Sequence, residues 1–367
     1  MADIRFCKSC LAMSTRPRIT FNDEGVCNAC LWVKQKKRLN WSERKAQLEK
    51  LLEVHRARKR PYDVIVPVSG GKDGSYVSHQ LKHEYNVNPL CVTVTPPLET
   101  DIGRKNLNNF IQSGYEHISL NVNPEILRKV NKAGFKEHGF PYFGWLVAIV
   151  TGVVRIAESF DIQLIMYGED AEMEYGGTSE KSSLITFGLD YMRRIGFEDG
   201  YEKVFATLDI PDNQRHMFSF PDPDSFQPRF AHWSYFENWD PYRNYLVAKN
   251  NCGLIENTQP NSGTFTNFAQ NDQYLYALHT YLMYLKFGFG RANQDACIEI
   301  RRGALEREQA INLVNLYDGV YPTEYIDFYL EYYEMKKEEF DQIIDKWANT
   351  NLFRKVDNKW TRLFEVK

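Results

Sequence analysis

Apolar residues along this chain fall into two periodicities. At 62–68, 89–95, 117–122 and 163–167 they form short runs rich in valine, isoleucine and leucine, the pattern of strands buried on both faces of a parallel sheet. Between these runs the spacing turns helical and predicts helices over 102–113, 124–138 and 141–160. Another follows residue 75 and carries Tyr76, Val77, Leu81 and Tyr85. Strand alternating with helix implies an α/β fold with a doubly wound parallel sheet. Beyond residue 250 the pattern predicts helices over 271–286, 291–302, 306–317 and 336–347. The stripe Tyr325, Phe328, Tyr329 and Tyr332 marks another helix that faces a core or an interface. Ahead of the sheet, Leu48, Leu51, Leu52 and Val54 sit among charges in a connecting helix over 41–60, closed by Pro61.

The first thirty residues carry Cys7-x-x-Cys10 and Cys27-x-x-Cys30, separated by a stretch that fits a hairpin ending at Gly25. Two such knuckles complete a tetrahedral sulfur shell, and so small a segment needs metal to fold. A structural Zn²⁺ ribbon on Cys7, Cys10, Cys27 and Cys30 is expected; a redox dithiol, four unrelated thiols and an iron–sulfur cluster are the alternatives. The chain thus divides into a four-cysteine ribbon (1–35), a connecting helix (36–60), a nucleotide-binding α/β domain (61–250) and a mainly helical region (251–367).

The first strand runs into Ser69-Gly70-Gly71-Lys72-Asp73-Gly74-Ser75. A glycine loop between strand and helix lets backbone N–H groups and a helix N-terminus hold phosphate. The serines can donate hydroxyls, Lys72 supplies charge and Asp73 can hold Mg²⁺. The loop is neither a Walker sequence nor a dinucleotide fingerprint. Ligands bind such sheets at the carboxyl ends of strands, where this loop, Thr95-Pro96-Pro97 and the stretch 168–177 converge. That stretch holds Gly168, Glu169, Asp170, Glu172, Glu174 and Tyr175. Four carboxylates there read as Mg²⁺ ligands, as recognition of a substrate amine, or as a solvated acidic loop.

The glycine loop resembles the PP-loop of the ATP pyrophosphatases, whose fold is that of adenine nucleotide alpha hydrolases. Gly74 stands where that pattern has serine and Ser75 comes one place later, so Ser69 and Ser75 are both candidates for the pyrophosphate. With the ribbon, Tyr167-Gly-Glu-Asp170, Glu174-Tyr-Gly-Gly177, His232-Trp-Ser-Tyr235, Gly263-Thr-Phe-Thr-Asn267 and Lys286-Phe-Gly-Phe-Gly-Arg291, the whole chain resembles the N-acetyl sugar amidotransferase family. The nearest type is the bacterial O-antigen enzyme of lipopolysaccharide biosynthesis, acting on a UDP-linked diacetamido uronic acid. The resemblance implies an ATP-dependent ligase that adenylates an acetamido oxygen, admits ammonia and leaves an acetamidino group, AMP and pyrophosphate.

Ser69, Gly70, Gly71, Lys72, Asp73, Gly74, Ser75, Thr95 and Gly168 are then candidates for ATP and its Mg²⁺. Lys72, Asp73, Glu169, Lys286 and Arg291 are candidates for catalysis, with Lys286 and Arg291 open to reading as helix-end cations. Glu174, Tyr175, His232 and Trp233 are substrate-binding candidates, although the last two also suit a core. Cys91, Cys252 and Cys297 stand alone, without a nucleophile elbow, and no N-terminal cysteine is present. Glutamine hydrolysis is therefore expected from a separate ammonia-supplying glutaminase, with or without a cyclase-like companion. A tRNA thiolase is the competing enzyme in the same fold, and an ATP-binding subunit without activity the competing non-enzyme.

Composition narrows this further. Of 367 residues 43% are hydrophobic and 25% charged, which is ordinary globular stock. Seven cysteines without a leader suit a reducing cytoplasm. The apolar run 144–154 stops at Arg155 and is too short to span a bilayer, so no membrane partner is expected. Residues 1–60 hold fifteen Lys and Arg against six Asp and Glu, in a chain of net charge −3. A basic front on an acidic body suits nucleic acid or an acidic partner, and equally a solvated helix face. The nucleotide-sugar reading expects no nucleic acid.

Overall fold

The computed structural model describes residues 4–197 and 201–367; residues 1–3 and 198–200, at the edge of the expected ribbon and inside the expected nucleotide domain, lie outside the described residues. Five strands, β1 (Val64–Pro67), β2 (Pro89–Val94), β3 (His117–Leu120), β4 (Leu164–Tyr167) and β5 (Arg229–His232), form one parallel sheet in the order β3-β2-β1-β4-β5. The first four fall where the apolar runs lie. β5 has no such run, because only the middle two of its four residues, Phe230 and Ala231, are buried, between an exposed Arg229 and a half-buried His232.

Helices α1 (Asn28–Lys36) and α2 (Trp41–Arg56) precede the sheet. Crossovers are made by α3 (Lys72–His83), α4 (Asp101–Gln112), α5 (Pro124–His138) and α6 (Phe143–Phe160). Short helices α7 (Ala171–Tyr175), α8 (Leu189–Tyr191), α9 (Tyr201–Ala206) and α10 (Trp233–Phe236) lie on either side of β5. Helix α11 (Pro241–Cys252) leads to α12 (Leu275–Phe287), α13 (Arg291–Arg302), α14 (Arg307–Tyr317), α15 (Ile326–Tyr333) and α16 (Lys337–Trp347).

The strand residues are apolar at both parities because each face has its own core. Ile65, Val92 and Ile165 pack with Val147 and Val154 of α6 and, beyond them, Leu278 of α12 and Phe340 of α16. Val64, Val66, Leu164 and Met166 face Leu48 and Leu52 of α2, Val77 and Leu81 of α3, and Cys252 of α11. Among the described residues α6 alone is long and apolar enough to cross a membrane. It is longer than the 144–154 apolar run, fills the helix expected over 141–160, and most of it is buried.

Two expectations need correction after residue 250. The chain ends in an antiparallel hairpin, β6 (Phe353–Val356) and β7 (Lys359–Arg362), turned by Asp357 and Asn358 with φ of 47° and 60°. Those positive values make a tight hairpin turn, a signal present in the Asp-Asn pair. Helix α12 starts at Leu275, not 271, because the preceding backbone is paired with the start of α4. Thr100 N–H donates to the Asp272 carbonyl at 3.1 Å and Tyr274 N–H to the Leu98 carbonyl at 3.0 Å. In the aromatic stripe Tyr329 is buried, whereas Phe328 is exposed and stacks on Tyr274.

Gly103 makes that seam possible: a Cβ there would lie 2.5 Å from Asp272 Cα. Overpacking against backbone has to push the two segments apart. Gly103→Ala is therefore expected to lower stability to urea by about 1–3 kcal/mol, measured by circular dichroism; an unchanged midpoint would show that the seam yields freely.

Candidate active site

The four front cysteines come together. Their Sγ atoms all lie within 4.8 Å of one another, with Cys7 to Cys30 at 3.9 Å and Cys10 to Cys27 at 3.7 Å. Metal–sulfur bonds of 2.3 Å in a tetrahedron require sulfurs about 3.8 Å apart, so the set fits one ion. Backbone N–H groups of Ser9, Cys10 and Cys27 point at Cys7 Sγ, which suits a thiolate. Cys297 and Arg301 of α13 pack against the cluster, and Arg301 Nη1 lies 3.7 Å from Cys10 Sγ.

The front is fastened to the acidic stretch, and this sorts its four carboxylates. Glu172 takes Arg18 at 2.6 Å and 3.0 Å. Glu174 takes Lys36 at 2.8 Å and Trp32 Nε1 at 3.0 Å. Asp170 is buried against Lys181 at 3.2 Å. Glu169 remains, and it lines a cavity of about 380 Å³ at the carboxyl ends of β1 and β4. These strands are neighbours whose connections leave in opposite directions, the place where open α/β sheets bind ligands.

Gly71, Lys72, Asp73 and Gly74 form the floor of that cavity. Gly71 caps α3 without any side-chain hydrogen bond, so the first-turn N–H groups stay available to an anion. Gly70 has φ +73°, and a Cβ there would strike the backbone of Asn106 and Leu107. Ser69 lines the cavity. Ser75 does not: it is fully buried in the first turn of α3. The glycine at 74 also has a cause, since a Cβ there would lie 2.8 Å from the Pro67 carbonyl oxygen. Gly168 admits both Trp239 and Asp73, whose atoms would be 2.9 and 3.2 Å from its Cβ.

Lys72, one-tenth exposed, pairs with Asp73 Oδ2, while Asp73 Oδ1 is buried with no partner. An orphan carboxylate oxygen close to a second carboxylate is a donor set that fits Mg²⁺. Burial, with Asp73 close by, raises the Glu169 carboxyl to about 7, against the pull of Lys72 and Arg291. Tyr175 offers its hydroxyl to Glu169 at 3.3 Å, and Arg16 lies over its ring.

Arg291 closes the cavity from the far side. It opens α13, where the helix dipole repels a cation, so a helix-end role does not account for it. Asp295 holds it at 2.8 Å and is itself held by the Thr264 hydroxyl at 2.5 Å. Burial opposes the guanidinium charge, but Asp295, Tyr175 and Glu169 keep it firmly protonated. Phe268, Gln270, Asn271, Asp272 and Tyr276 complete this wall. Sequence reasoning missed them, because nothing in the 268–276 stretch alone shows that it pairs with α4. The apolar end is Val94, Ile149, Val153 and Trp145, with Trp145 Nε1 donating to the Val94 carbonyl at 3.0 Å.

The other candidates lie elsewhere. Lys286 sits in the last turn of α12, donates to the His138 carbonyl at 2.6 Å and is not part of the cavity lining. Thr95 is outside the lining, between Val94 and Pro96, which are in it. His232 is kept neutral by burial and by Lys181, 3.2 Å away, in the cluster with Asp170. Trp233 is a core residue against Tyr85. Neither lines this cavity: His232 ends β5 and Trp233 begins α10.

Residues 262–367 match the family model of the LPS biosynthesis protein WbpG-like C-terminal domain. No curated protein matches the sequence. Among solved structures the chain is similar to the U34-tRNA thiolase NcsA from Methanococcus maripaludis with its 4Fe-4S cluster. The identity is 15% and the TM-score 0.33, over 82% of this chain and 86% of that one, a likeness that bears on neither reaction nor cofactor.

Two outcomes are expected. Elemental analysis of purified protein should find one metal ion per chain, lost in Cys27→Ser together with thermal stability; full stability without metal would refute the metal site. Glu169 should titrate near pH 7 by carboxyl NMR. Its folded value lies above the unfolded one, so the native state holds the extra proton and stability falls as pH rises from 4.5 through 7. Glu169→Gln should flatten that slope, and an equal slope in the variant would reject the assignment.

Proposed function

We propose that the chain is an ATP-dependent amidotransferase of surface-polysaccharide biosynthesis. It would act in the cytoplasm on the acetamido group of a nucleotide-linked sugar, a UDP-diacetamido uronic acid in the reading of its sequence. One observation carries the proposal. The uncapped start of α3, Lys72, Asp73, Glu169 and Arg291 share a single cavity, and its far wall comes from the segment that matches the WbpG-like domain. The fold is read as a PP-loop ATP pyrophosphatase with a zinc ribbon in front, the Zn²⁺ being held by Cys7, Cys10, Cys27 and Cys30.

The adenine lies in the apolar end and the β and γ phosphates at the N-terminus of α3. Mg²⁺, held through Asp73, would neutralise the phosphates. The acetamido oxygen attacks the α-phosphorus, and pyrophosphate leaves towards Lys72 and the α3 amides. Ammonia then attacks the imidate carbon and AMP departs, which leaves the amidine. Glu169, raised to about 7, is suited to accept the proton that the attacking ammonia must lose. Arg291 faces the charge that develops on the phosphate. Tyr175 keeps Glu169 in place, and Glu174 fastens the front segment rather than the substrate.

Two features favour nitrogen over sulfur transfer. Among the described residues no cysteine lines the cavity, and Cys91 and Cys252 are buried in the opposite core. The ammonia source is a separate glutaminase. Arg18, Lys36, Arg58 and Arg60 of the basic front pair with Glu172, Glu174 and Asp161 of the chain itself, so nucleic acid need not account for that charge.

The test supplies ATP, Mg²⁺, an ammonium salt and a panel of acetamido UDP-sugars, and follows AMP and the product mass. The sugar should become lighter by the difference between O and NH, with one AMP for each product. Asp73→Asn should slow this about a hundredfold or more. AMP that appears only with tRNA and a sulfur donor would replace this reading with the thiolase.

A further inference from the structure

A second cavity, of about 480 Å³, adjoins the first, and Gln270, Asn271 and Tyr276 line both. Its chemistry is different. The walls are amides, hydroxyls and tyrosine rings; Asp101 and Glu324 are its charged residues, and no lysine or arginine is in its lining. Such a surface suits the hydroxyl and acetamido groups of a sugar ring and turns its phosphates and any carboxylate outward.

The wall is built rather than incidental. Asn261 Nδ2 donates to Asn271 Oδ1 at 2.5 Å, Asn257 Nδ2 to Asn261 Oδ1 at 2.6 Å, and Asn267 Nδ2 to the Asn257 carbonyl at 2.8 Å. These side chains find partners within the chain and fix the loop. Gln273 does not. It is 2% exposed and lines the cavity, yet neither Nε2 nor Oε1 has a hydrogen-bond partner of ordinary geometry. The Tyr276 hydroxyl engages it only weakly, short of ordinary hydrogen-bond geometry. A buried amide left without partners costs stability, and such a cost is recovered when a ligand supplies both an acceptor and a donor. An acetamido group, or a pair of ring hydroxyls, supplies both.

We infer that the second cavity is the sugar subsite, which takes the face of a pyranose ring that bears hydroxyl and acetamido groups, with the Gln273 amide as its buried anchor. The inference rests on the acetamido-sugar reading above. It places the reacting acetamido group at the shared Gln270–Tyr276 boundary, beside the ATP cavity. The carrier's phosphates and any ring carboxylate then lie outside the second cavity.

The experiment is saturation-transfer NMR on the full chain with UDP-linked mono- and diacetamido sugars, and with UDP alone as control. Ring and acetyl protons should take up saturation. Gln273→Leu, close in volume, should weaken sugar binding about tenfold and leave the affinity for a non-hydrolysable ATP analogue unchanged by calorimetry. Gln270 has φ +56°; Gln270→Gly keeps that backbone comfortable, removes the amide and should weaken the sugar as well. Thermal melts report whether each variant folds, and Gln270→Gly decides if Gln273→Leu does not. Sugar bound equally well by both variants, or contacts confined to the UDP moiety, would overturn the subsite. Sugar binding that needs Gln273 without AMP formation would support the subsite and refute the amidotransferase. Amidine formation with the KM for sugar unchanged in both variants would do the reverse.

Discussion

A guanidinium at the positively polarised start of a helix, largely out of solvent, is unstable unless negative groups surround it. Arg291 is in that position, and the C-terminal half is arranged around it. Asp295 pairs with it one turn on, and Thr264 pairs with Asp295. Asp318 accepts the Gly290 and Asn293 N–H groups that open α13. Burial raises the Asp318 carboxyl to about 7 against those bonds, so the cap is strongest where this group is ionised. Further along the helix, Asn293 reaches the Leu11 carbonyl and Arg301 reaches Cys10 Sγ and the Glu174 carbonyl. One helix thus joins the cavity, the cysteine cluster and the acidic strand end.

This arrangement explains why the front segment is there at all. Folded around the four-cysteine cluster, it presents Arg16, Arg18, Trp32 and Lys36 to the 169–175 stretch. Glu172 and Glu174 are neutralised by it, and Asp170 by Lys181, so Glu169 is left to face the cavity. A carboxylate buried next to Asp73 stays protonated to higher pH, and the surrounding charges set how far. The front segment thus shapes the cavity wall through the carboxylates it pairs away, Glu172 and Glu174.

Several parts were legible because they are local. Knuckle spacing places two thiolates on one ion whatever surrounds them, and the glycine loop between strand and helix has few other conformations open to it. The strands β1 to β4 and the helix 291–302 follow from runs of their own residues. β5, the terminal hairpin and the late start of α12 did not. Each is decided by pairing with a distant segment, as Thr100 with Asp272 shows.

By itself the sequence determined that the chain folds as an α/β sheet with a glycine loop between its first strand and α3 and with four cysteines in one cluster, since both depend on spacing within a few residues. Tertiary structure alone decided which of several chemically equivalent residues line the cavity: Ser69 and not Ser75, Glu169 and not its three neighbours, Arg291 and not Lys286. It also decided that the Gln273 amide is buried without a partner of ordinary geometry, in a cavity whose lining has no lysine or arginine. Exposure and partnership are set by groups as far apart as Arg18 and Glu172 or Lys286 and His138. No local pattern carries that information, because the free energy of a buried polar group depends on what the rest of the fold places beside it.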